Sequence, residues 1–331
     1  MTQPKTSTNL THHQRIARAL HRATGCGYQK ALARVTLASG RGLLPPVLDK
    51  AGREAAVRIL IASAPLSEPT TSSAGRSCDM PWSVANPLAD LAPGTVTALV
   101  SLPTAGRSTL ALNVALHNAE QGRTCLFTSG EIQTDDLQQK VIAAKYGVDL
   151  RRQAPPEGWD AFKARAVPEL EAMALALQGA TTGSLLQEVF DSGRIALARR
   201  SRRLDLWVID TVQHFSQFSD SGLEIGQAMR QVRRIAQEQR LSVLVTAQAL
   251  TETSDELLGL EHVPSGVVAH SDKVLALDRQ GVYWGNESGL AAALRLVKPS
   301  PARARSCALT LEPARCRFIT PPSGGGAPAG L

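Results

Sequence analysis

The chain has 331 residues, 43% of them hydrophobic, and a formal net charge of +7. Its length accommodates one large domain and a small one, and because no apolar run reaches the roughly 18 residues of a membrane span, we expect no membrane association. The polar N-terminus lacks the apolar core of a secretory signal peptide. The five cysteines are scattered and form no C-x-x-C pair, so we expect a cytoplasmic protein without a disulfide framework or a zinc site.

The positive charge is concentrated in the N-terminal part of the chain. Residues 1–62 contain ten lysines and arginines against two acidic residues, whereas the remainder is close to neutral. Apolar periodicity and glycine breaks predict three short helices here, over about residues 11–24, 28–38 and 52–62. A small basic helical module is a candidate for binding nucleic acid or an acidic partner. The alternative is an ordinary solvated helical surface.

The composition then changes twice along the chain. Residues 63–87 are rich in Ser, Thr and Pro without an apolar period, which predicts a flexible linker. Residues 88–320 alternate between strand-like and helix-like segments, which is typical of an α/β domain with a mostly parallel sheet. Residues 321–331 form a tail rich in Gly and Pro, for which we predict disorder.

Within the α/β domain, short apolar runs predict strands and amphipathic segments predict helices. The predicted strands cover residues 96–100, 124–128, 172–177, 204–209, 241–246, 273–277, 292–297, 307–311 and 315–319. The predicted helices cover residues 108–120, 135–146, 184–200 and 224–240. Residues 151–168 follow no regular pattern, and we expect them to be irregular.

The first strand and helix of this domain flank a candidate phosphate-binding loop. The strand, Val96–Val100, is a continuous apolar run, which is typical of a strand buried on both faces. In the motif G-x-x-x-x-G-K-[ST], Gly106 and Ser108 fit, while Ser101 stands at the first Gly. Arg107 stands at the Lys, which keeps the charge but not the shape. Such a loop directs backbone N–H groups and a helix N-terminus at one anionic group. The alternative is an ordinary strand-to-helix turn.

Polar residues follow three other predicted strands at their carboxyl ends. Glu131, Asp210 and Gln248 each come after a different strand. Because the carboxyl ends of parallel strands meet at one edge of a sheet, we expect these residues to lie near Ser108. A nucleoside triphosphatase needs a phosphate cradle, a hydroxyl and a carboxylate for Mg²⁺, and a group that activates water. The four positions therefore predict a nucleoside triphosphatase site.

Together these segments resemble a known family. The phosphate-loop proline and the stretches around Glu131, Asp210 and Gln248 make residues 88–319 similar to the RecA-like ATPase domain of the replicative DNA helicase (DnaB) C-terminal family. The stretches that carry the resemblance are residues 101–113, 126–131, 206–213, 244–248, 265–275 and 296–298. The resemblance implies a RecA-like P-loop NTPase core, preceded here by the small all-α module in place of the family's N-terminal domain.

The resemblance also implies roles for individual residues, with ATP and Mg²⁺ as ligands. The nucleotide-binding residues would be Pro103, Thr104, Ala105, Gly106, Arg107, Ser108 and Thr109. Ser108 and Asp210 would hold Mg²⁺. Glu131 would polarise the attacking water, and Gln248 would couple the state of the nucleotide to DNA-facing loops.

In that family the subunits form a ring, a hexamer, and a cation from the neighbouring subunit completes each site. The cation lies in a Lys-x-Arg pattern, in which Lys298 matches the lysine but Ser300 stands at the arginine. Arg303 or Arg305 would have to replace it. The loops that line the DNA channel are expected to be basic, yet the corresponding residues, 216–222 and 251–256, are neutral to acidic.

Two hypotheses of different classes follow. The first is an ATP-binding, DnaB-helicase-like ATPase of DNA replication or repair that hydrolyses ATP slowly and forms a homo-oligomer. It would bind DNA, single-stranded DNA in particular, through its channel or residues 1–62. The second is a degenerate ATPase fold that regulates a partner or contacts DNA through the basic module without motor activity. A metabolic α/β kinase is a weaker third hypothesis because no substrate-binding insert is recognisable.

Overall fold

The structure, a computed structural model, describes most of the chain in separate segments. The described residues are 6–24, 28, 31–32, 35, 38–39, 44–45, 49–62, 76–82, 88, 90–151, 158–179, 186–198, 203–215, 222–251, 257–279, 290–299 and 305–321. The chain divides into two compact units, residues 1–72 with 190–203 and residues 73–189 with 204–331. Most of the predicted tail, residues 322–331, lies outside the described residues.

The N-terminal unit is built on helices with a small apolar core. Helix α1 is Thr6–Thr24, five residues longer at its start than predicted, and α2 is Lys50–Ala62. The scattered positions described between residues 28 and 39 are helical as well. The core side chains are Ile16, Ala17, Leu20, Ala31, Val35, Ala38, Ala56 and Leu60. Because α1 contains no Asp or Glu, its exposed side is uniformly neutral or basic.

One nine-stranded sheet forms the centre of the larger unit, as far as the structure describes it. Its strands are β1 (Val96–Ser101), β2 (Cys125–Ser129), β3 (Leu175–Gly179), β4 (Leu206–Asp210), β5 (Ser242–Gln248), β6 (Lys273–Asp278), β7 (Ala291–Lys298), β8 (Ser306–Glu312) and β9 (Arg317–Ile319). Their order across the sheet is β3-β2-β4-β5-β1-β6-β7-β8-β9. The first six in chain order pair in parallel, and β7, β8 and β9 extend the sheet antiparallel. The predicted mostly parallel α/β sheet is confirmed.

Helices connect the strands. They are α3 (Arg107–Glu120), α4 (Thr134–Tyr146), α5 (Trp159–Ala172), α6 (Leu186–Ala198), α7 (Gly222–Gln239) and α8 (Ser265–His270). Strands β1, β2 and β4 are buried along their whole length, which explains their continuous apolar sequences. In β8, by contrast, every second residue is buried. None of the helices in the described segments has both the length and the apolar character needed to cross a bilayer.

Helix α5 corrects the sequence interpretation, which expected residues 151–168 to be irregular. Phe162 and Ala166, one helical turn apart, are buried against Ile142 of α4. Pro168 lies inside the helix and interrupts the pattern that sequence reasoning relies on, since proline is rare in helix interiors. The strand that follows, β3, begins three residues later than predicted. The packing of the Phe162 face therefore outweighs the local cost of the proline.

Residues 76–82 also correct a prediction, because they were assigned to the flexible linker. Cys78, Met80 and Trp82 are buried in the main core, and Cys78 forms an isolated antiparallel bridge with Leu91. The indole Nε1 of Trp82 donates a hydrogen bond of 2.9 Å to the carbonyl of Phe318 in β9. The alternation of Cys78, Met80 and Trp82 was the overlooked signal, since a half-buried extended segment has period two. The rest of the predicted linker, residues 63–75 and 83–87, lies outside the described residues.

The crossing of α7 and α8 depends on two glycines. A Cβ added to Gly266 would lie 2.6 Å from the backbone nitrogen of Gly226, whereas a Cβ on Gly226 would meet nothing closer than 3.8 Å. We therefore expect Gly266→Ala to lower the free energy of unfolding by about 1–3 kcal/mol through overpacking. The matched variant Gly226→Ala should be neutral or stabilising by up to about 1 kcal/mol, because Ala favours helices. Urea unfolding of both variants measures the difference, and equal midpoints would contradict the close crossing.

Candidate functional site

The loop between β1 and α3 has the geometry of a phosphate cradle. Thr104 and Gly106 have positive φ angles of 59° and 99°, so the backbone turns sharply between the strand and the helix. A Cβ on Gly106 would lie 2.9 Å from the Phe318 ring, which explains the glycine at this position. Pro103, Thr104 and Ala105 form the loop itself. The helix begins at Arg107, so its N-terminal N–H groups and its dipole face the loop.

The parallel strands bring four predicted site residues to this edge of the sheet. They are Ser108, Asp210, Gln248 and Glu131, which lies two residues after Ser129. Ser129, the last residue of β2, pairs with Asp210 of β4, and Ser101 of β1 pairs with Gln248 of β5. Ser108 follows in the first turn of α3, and Thr109 is next to it. The site therefore lies where four neighbouring parallel strands end.

Asp210 is the buried centre of this site. The Ser108 hydroxyl donates to its Oδ1 at 3.0 Å, and the Thr246 hydroxyl donates to the same oxygen at 2.7 Å. The Ser129 hydroxyl lies 3.5 Å from Oδ2. Burial raises the pKa of the Asp210 carboxyl, while the bonds from Thr246 and Ser108 and the charge of Arg107 oppose the shift. Burial of the charged carboxylate therefore costs folding free energy, and the hydrogen bonds from the hydroxyl groups offset part of that cost.

Ser108 and Asp210 form a donor set that suits Mg²⁺. Their oxygens are hard ligands that lie side by side, 3.0 Å apart, next to the phosphate cradle. Magnesium in phosphate-transfer sites is held by one or two protein oxygens together with phosphate oxygens and water. The two residues predicted to hold the metal fit it in type and in position.

Arg107 points inward, beneath the loop. One terminal nitrogen donates to the carbonyls of Ser101 and Ala247 at 3.3 and 3.2 Å, and the other donates to the Thr211 hydroxyl at 3.3 Å. Its buried Nε has no hydrogen-bond acceptor among the described residues. Burial lowers the pKa of Arg107, although Asp210 and Glu131 oppose the shift. The guanidinium thus contacts the ends of β1, β4 and β5, and its positive charge lies beneath the loop.

Glu131, two residues after β2, is exposed, with 63% of its side chain accessible. Its Oε2 lies 3.6 Å from Nε2 of His214, a contact that sequence reasoning missed. A Cβ on Gly130 would lie 2.4 Å from Cβ of His214, so the glycine permits this close approach. The Gly130 N–H donates to the carbonyl of Asp210 at 2.8 Å. The backbone before Glu131 is thereby fixed to the Asp210 strand.

Gln248 is half-buried at the end of β5. Its carbonyl accepts a hydrogen bond of 3.1 Å from the side-chain amide of Gln213, which lies in the turn after β4. Because Ser101 is its register partner, Gln248 is adjacent to the start of the phosphate loop. Gln248 therefore lies between the phosphate loop and the segment that follows β5.

The cations predicted to act in a neighbouring subunit differ in their contacts and in their exposure. The Lys298 ammonium donates to the carbonyls of Val268 and Ser271 at 2.5 and 2.7 Å, within its own subunit. Arg305 is exposed at the start of β8. Ser300 and Arg303 lie outside the described residues, as do residues 216–221 and 252–256 of the predicted DNA-facing loops. Lys298 would have to leave these carbonyls before it could reach another site.

A further cation that the sequence interpretation missed contacts the loop. Arg279, directly after β6, donates to the carbonyl of Thr104 at 3.2 Å. Burial lowers the pKa of its guanidinium. The signal was its place one residue beyond a strand that pairs with β1, since Leu277 is the register partner of Ser101. A basic residue there lies at the same edge of the sheet as the loop.

The loop, the hydroxyl–carboxylate pair and the strand order define a P-loop NTPase fold of the RecA-like class. A model of the DnaB-like helicase C terminal domain matches residues 85–256, which is more than half of the chain. The chain therefore belongs to the DnaB-like helicase C-terminal domain family, as the sequence analysis predicted.

Solved structures have the same fold. The ATPase domain of G40P matches with a TM-score of 0.60 and 15% identity, over 70% of this chain and 86% of that one. A DnaB-like replicative helicase, studied with its interactions with primase, matches with a TM-score of 0.63 and 14% identity, over 94% of this chain and 75% of that one. At these identities the likeness concerns the fold alone. No sequence match was found among curated proteins.

Proposed function

We propose that this protein is a helicase-like ATPase that binds Mg-ATP, hydrolyses it slowly and acts on DNA in replication or repair. The observation that carries the proposal is the 3.0 Å contact between the Ser108 hydroxyl and the Asp210 carboxylate at the foot of the phosphate loop. A hydroxyl and a carboxylate in this arrangement have a specific use in holding Mg²⁺ on a nucleoside triphosphate. A purely structural role would not require a buried, poorly solvated charge at a strand end.

In this mechanism the backbone N–H groups of the loop and of the first turn of α3 bind the phosphates. Ser108 and Asp210 would hold Mg²⁺, which would supply positive charge against the phosphate oxygens. Glu131 orients a water for attack on the γ-phosphate and accepts its proton. Arg107 adds positive charge from beneath the loop, and Gln248 relays the state of the nucleotide to the segment after β5.

Slow hydrolysis is proposed because of where the cations lie. A cation supplied by a neighbouring subunit is worth about 10³–10⁵ in turnover in related phosphoryl-transfer enzymes. The Lys298 ammonium is engaged by two carbonyls of its own subunit. In a homo-oligomer, a hexamer by family resemblance, Arg303 or Arg305 remains as the candidate that could complete a neighbour's site.

The direct test is ATP binding and Mg-ATP turnover by the purified protein, each with and without single-stranded DNA. We expect saturable ATP binding and a low, Mg²⁺-dependent turnover. Absence of ATP binding at millimolar nucleotide would contradict the proposal. Mass measurement with and without ATP on the same samples would reveal whether nucleotide drives oligomerisation.

The engaged Lys298 favours a second candidate function. In that alternative the protein binds ATP but works as a regulatory or scaffolding protein, contacting DNA or a partner through its basic N-terminal helices. The same assay separates the two functions, because the alternative requires ATP binding with turnover at the background level in every oligomeric state and with every DNA.

The N-terminal helix α1 is the proposed DNA contact. Arg15, Arg18 and Arg22 are exposed and lie at helical spacing on a helix without acidic residues. Changing all three to Gln should weaken single-stranded DNA binding and reduce its salt dependence by a slope of about 2, since each lost phosphate contact contributes about 0.7. Filter binding across a salt series measures this. Arg234→Gln, on α7, combined with Arg240→Gln, directly after that helix, is the control, and equal slopes for the control and the α1 variant would contradict a role for α1.

A further inference from the structure

Arg279 follows β6 directly and is tied to the tip of the phosphate loop. Its guanidinium donates to the Thr104 carbonyl at 3.2 Å, and Thr104 is an exposed loop residue with a left-handed backbone, φ 59°. Strand β6 is the neighbour of β1 on the side away from β5. Arg279 therefore approaches the loop from the side opposite to Asp210 and Glu131.

The backbone that carries Arg279 is held firmly. The Asp278 carboxylate, in a side chain that is only 7% exposed, is paired with Nε of Arg295 at 2.7 Å. Its other oxygen accepts the N–H of Leu258 at 3.1 Å, and Arg295 also donates to the Leu258 carbonyl at 2.8 Å. This hydrogen-bonded ion pair joins the end of β6 to Arg295 of β7 and to the backbone of Leu258. Arg279 is thus a cation presented from a rigid strand end.

The loop needs such a cation because the guanidinium of Arg107 is hydrogen-bonded to groups beneath the loop. The Arg107 guanidinium donates to Ser101, Ala247 and Thr211, three groups of the strand ends rather than of the loop rim. The lysine of a standard phosphate loop reaches the β- and γ-phosphates as a slender ammonium. A planar guanidinium anchored at three points cannot reproduce that reach without giving up these bonds.

We infer that Arg279 is a nucleotide-binding residue that reaches over the rim of the loop to the terminal phosphates of a nucleoside triphosphate. This inference rests on the proposed ATP binding and adds a residue to that site. A guanidinium has five N–H donors in a planar fork, so the bond to Thr104 is compatible with a second, charge-assisted bond to phosphate. The same residue would then order the loop tip and contribute charge to its ligand.

The test separates these two actions by substitution. Arg279→Gln removes the charge and shortens the side chain, so it also weakens the bond to the Thr104 carbonyl, while Arg279→Lys keeps the charge without the fork. Affinities for ATP, ADP and AMP are measured by calorimetry for the wild type, Arg279→Gln and Arg279→Lys. Arg234→Gln, an exposed arginine on α7, serves as the control for loss of surface charge.

For Arg279→Gln we expect about tenfold weaker ATP binding, the usual cost of a charge-assisted hydrogen bond. The effect should be smaller for ADP and absent for AMP, and Arg279→Lys should retain most of the affinity. Equal losses for all three nucleotides, or none, would overturn the inference while leaving ATP binding by the wild type intact. Loss of single-stranded DNA binding with unchanged ATP binding would also overturn it, since Arg279 would then serve a DNA phosphate. No ATP binding by the wild type would overturn both this inference and the proposed function.

Discussion

Replacing Glu131 by Gln should reduce Mg-ATP turnover by about 10²–10⁴-fold, the usual contribution of a positioned general base, and leave ATP affinity unchanged. The amide has the shape of the carboxylate but cannot accept the proton of the attacking water. Glu131 is exposed and makes no bond to Asp210 or Ser108 in the hydrogen bonds of the described residues, so its replacement should not disturb the metal-binding pair. Steady-state phosphate release and nucleotide binding are measured on the same preparation.

The control for this variant is Asp136→Asn. Asp136 is also an exposed carboxylate, in the first turn of α4 and five residues along the chain, and the same loss of one charge there should leave turnover unchanged. Equal turnover in wild type and Glu131→Gln would remove the catalytic role of Glu131. Turnover that falls together with ATP affinity would instead assign Glu131 to ligand binding.

Replacing Asp210 by Asn should have two effects of opposite sign. Burial raises the pKa of this carboxyl in the folded protein, so at neutral pH the charged form is destabilising relative to the unfolded chain. Removing the charge should therefore raise the melting temperature of the ligand-free protein by a few degrees. The amide can still accept the hydroxyl hydrogen bonds of Ser108 and Thr246, which keeps the local packing.

The second effect concerns the ligand. A protein that binds ATP at a hundred times its dissociation constant gains about 2.7 kcal/mol of stability. Asn is a poor ligand for Mg²⁺, so Mg-ATP should stabilise the wild type strongly and Asp210→Asn hardly at all. Thermal unfolding with and without Mg-ATP measures both effects in one experiment.

Asp272→Asn is the matched control for stability. The Asp272 carboxylate pairs with Arg233 at 2.9 Å and accepts the Val96 N–H at 2.9 Å, so its removal should lower the melting temperature and preserve stabilisation by Mg-ATP. A lower melting temperature for Asp210→Asn, with the Mg-ATP effect retained, would mean that Asp210 is a structural anchor and not a metal ligand.

The fold could be predicted from sequence where the local pattern of apolar residues matches the burial of the element in the structure. Strands β1, β2 and β4 are buried on both faces, and their continuous apolar sequences gave their positions to within a residue or two. Helix α5 and residues 76–82 were misjudged because their stability comes from distant partners. Phe162 packs on α4, and Trp82 donates to the carbonyl of Phe318, 236 positions away.

The candidate site also contains residues that could be predicted from the sequence and residues that could not. Ser108, Asp210, Glu131 and Gln248 could be found from sequence because each stands at the end of a recognisable strand or at the start of a helix. In a parallel sheet, those ends must share one edge. Backbone topology therefore brings them together, whatever their side chains do afterwards.

The sequence by itself determined which candidate site residues follow which strands in this protein. In chain order they are a phosphate loop, a glutamate, an aspartate and a glutamine, each at the end of a different parallel strand. Only the tertiary structure decided where the long cations go. Arg107 turns beneath the loop, Lys298 binds the carbonyls of Val268 and Ser271, and Arg279 reaches Thr104. A long flexible cation selects its partners among acceptors that are remote in sequence, and no local pattern encodes that choice.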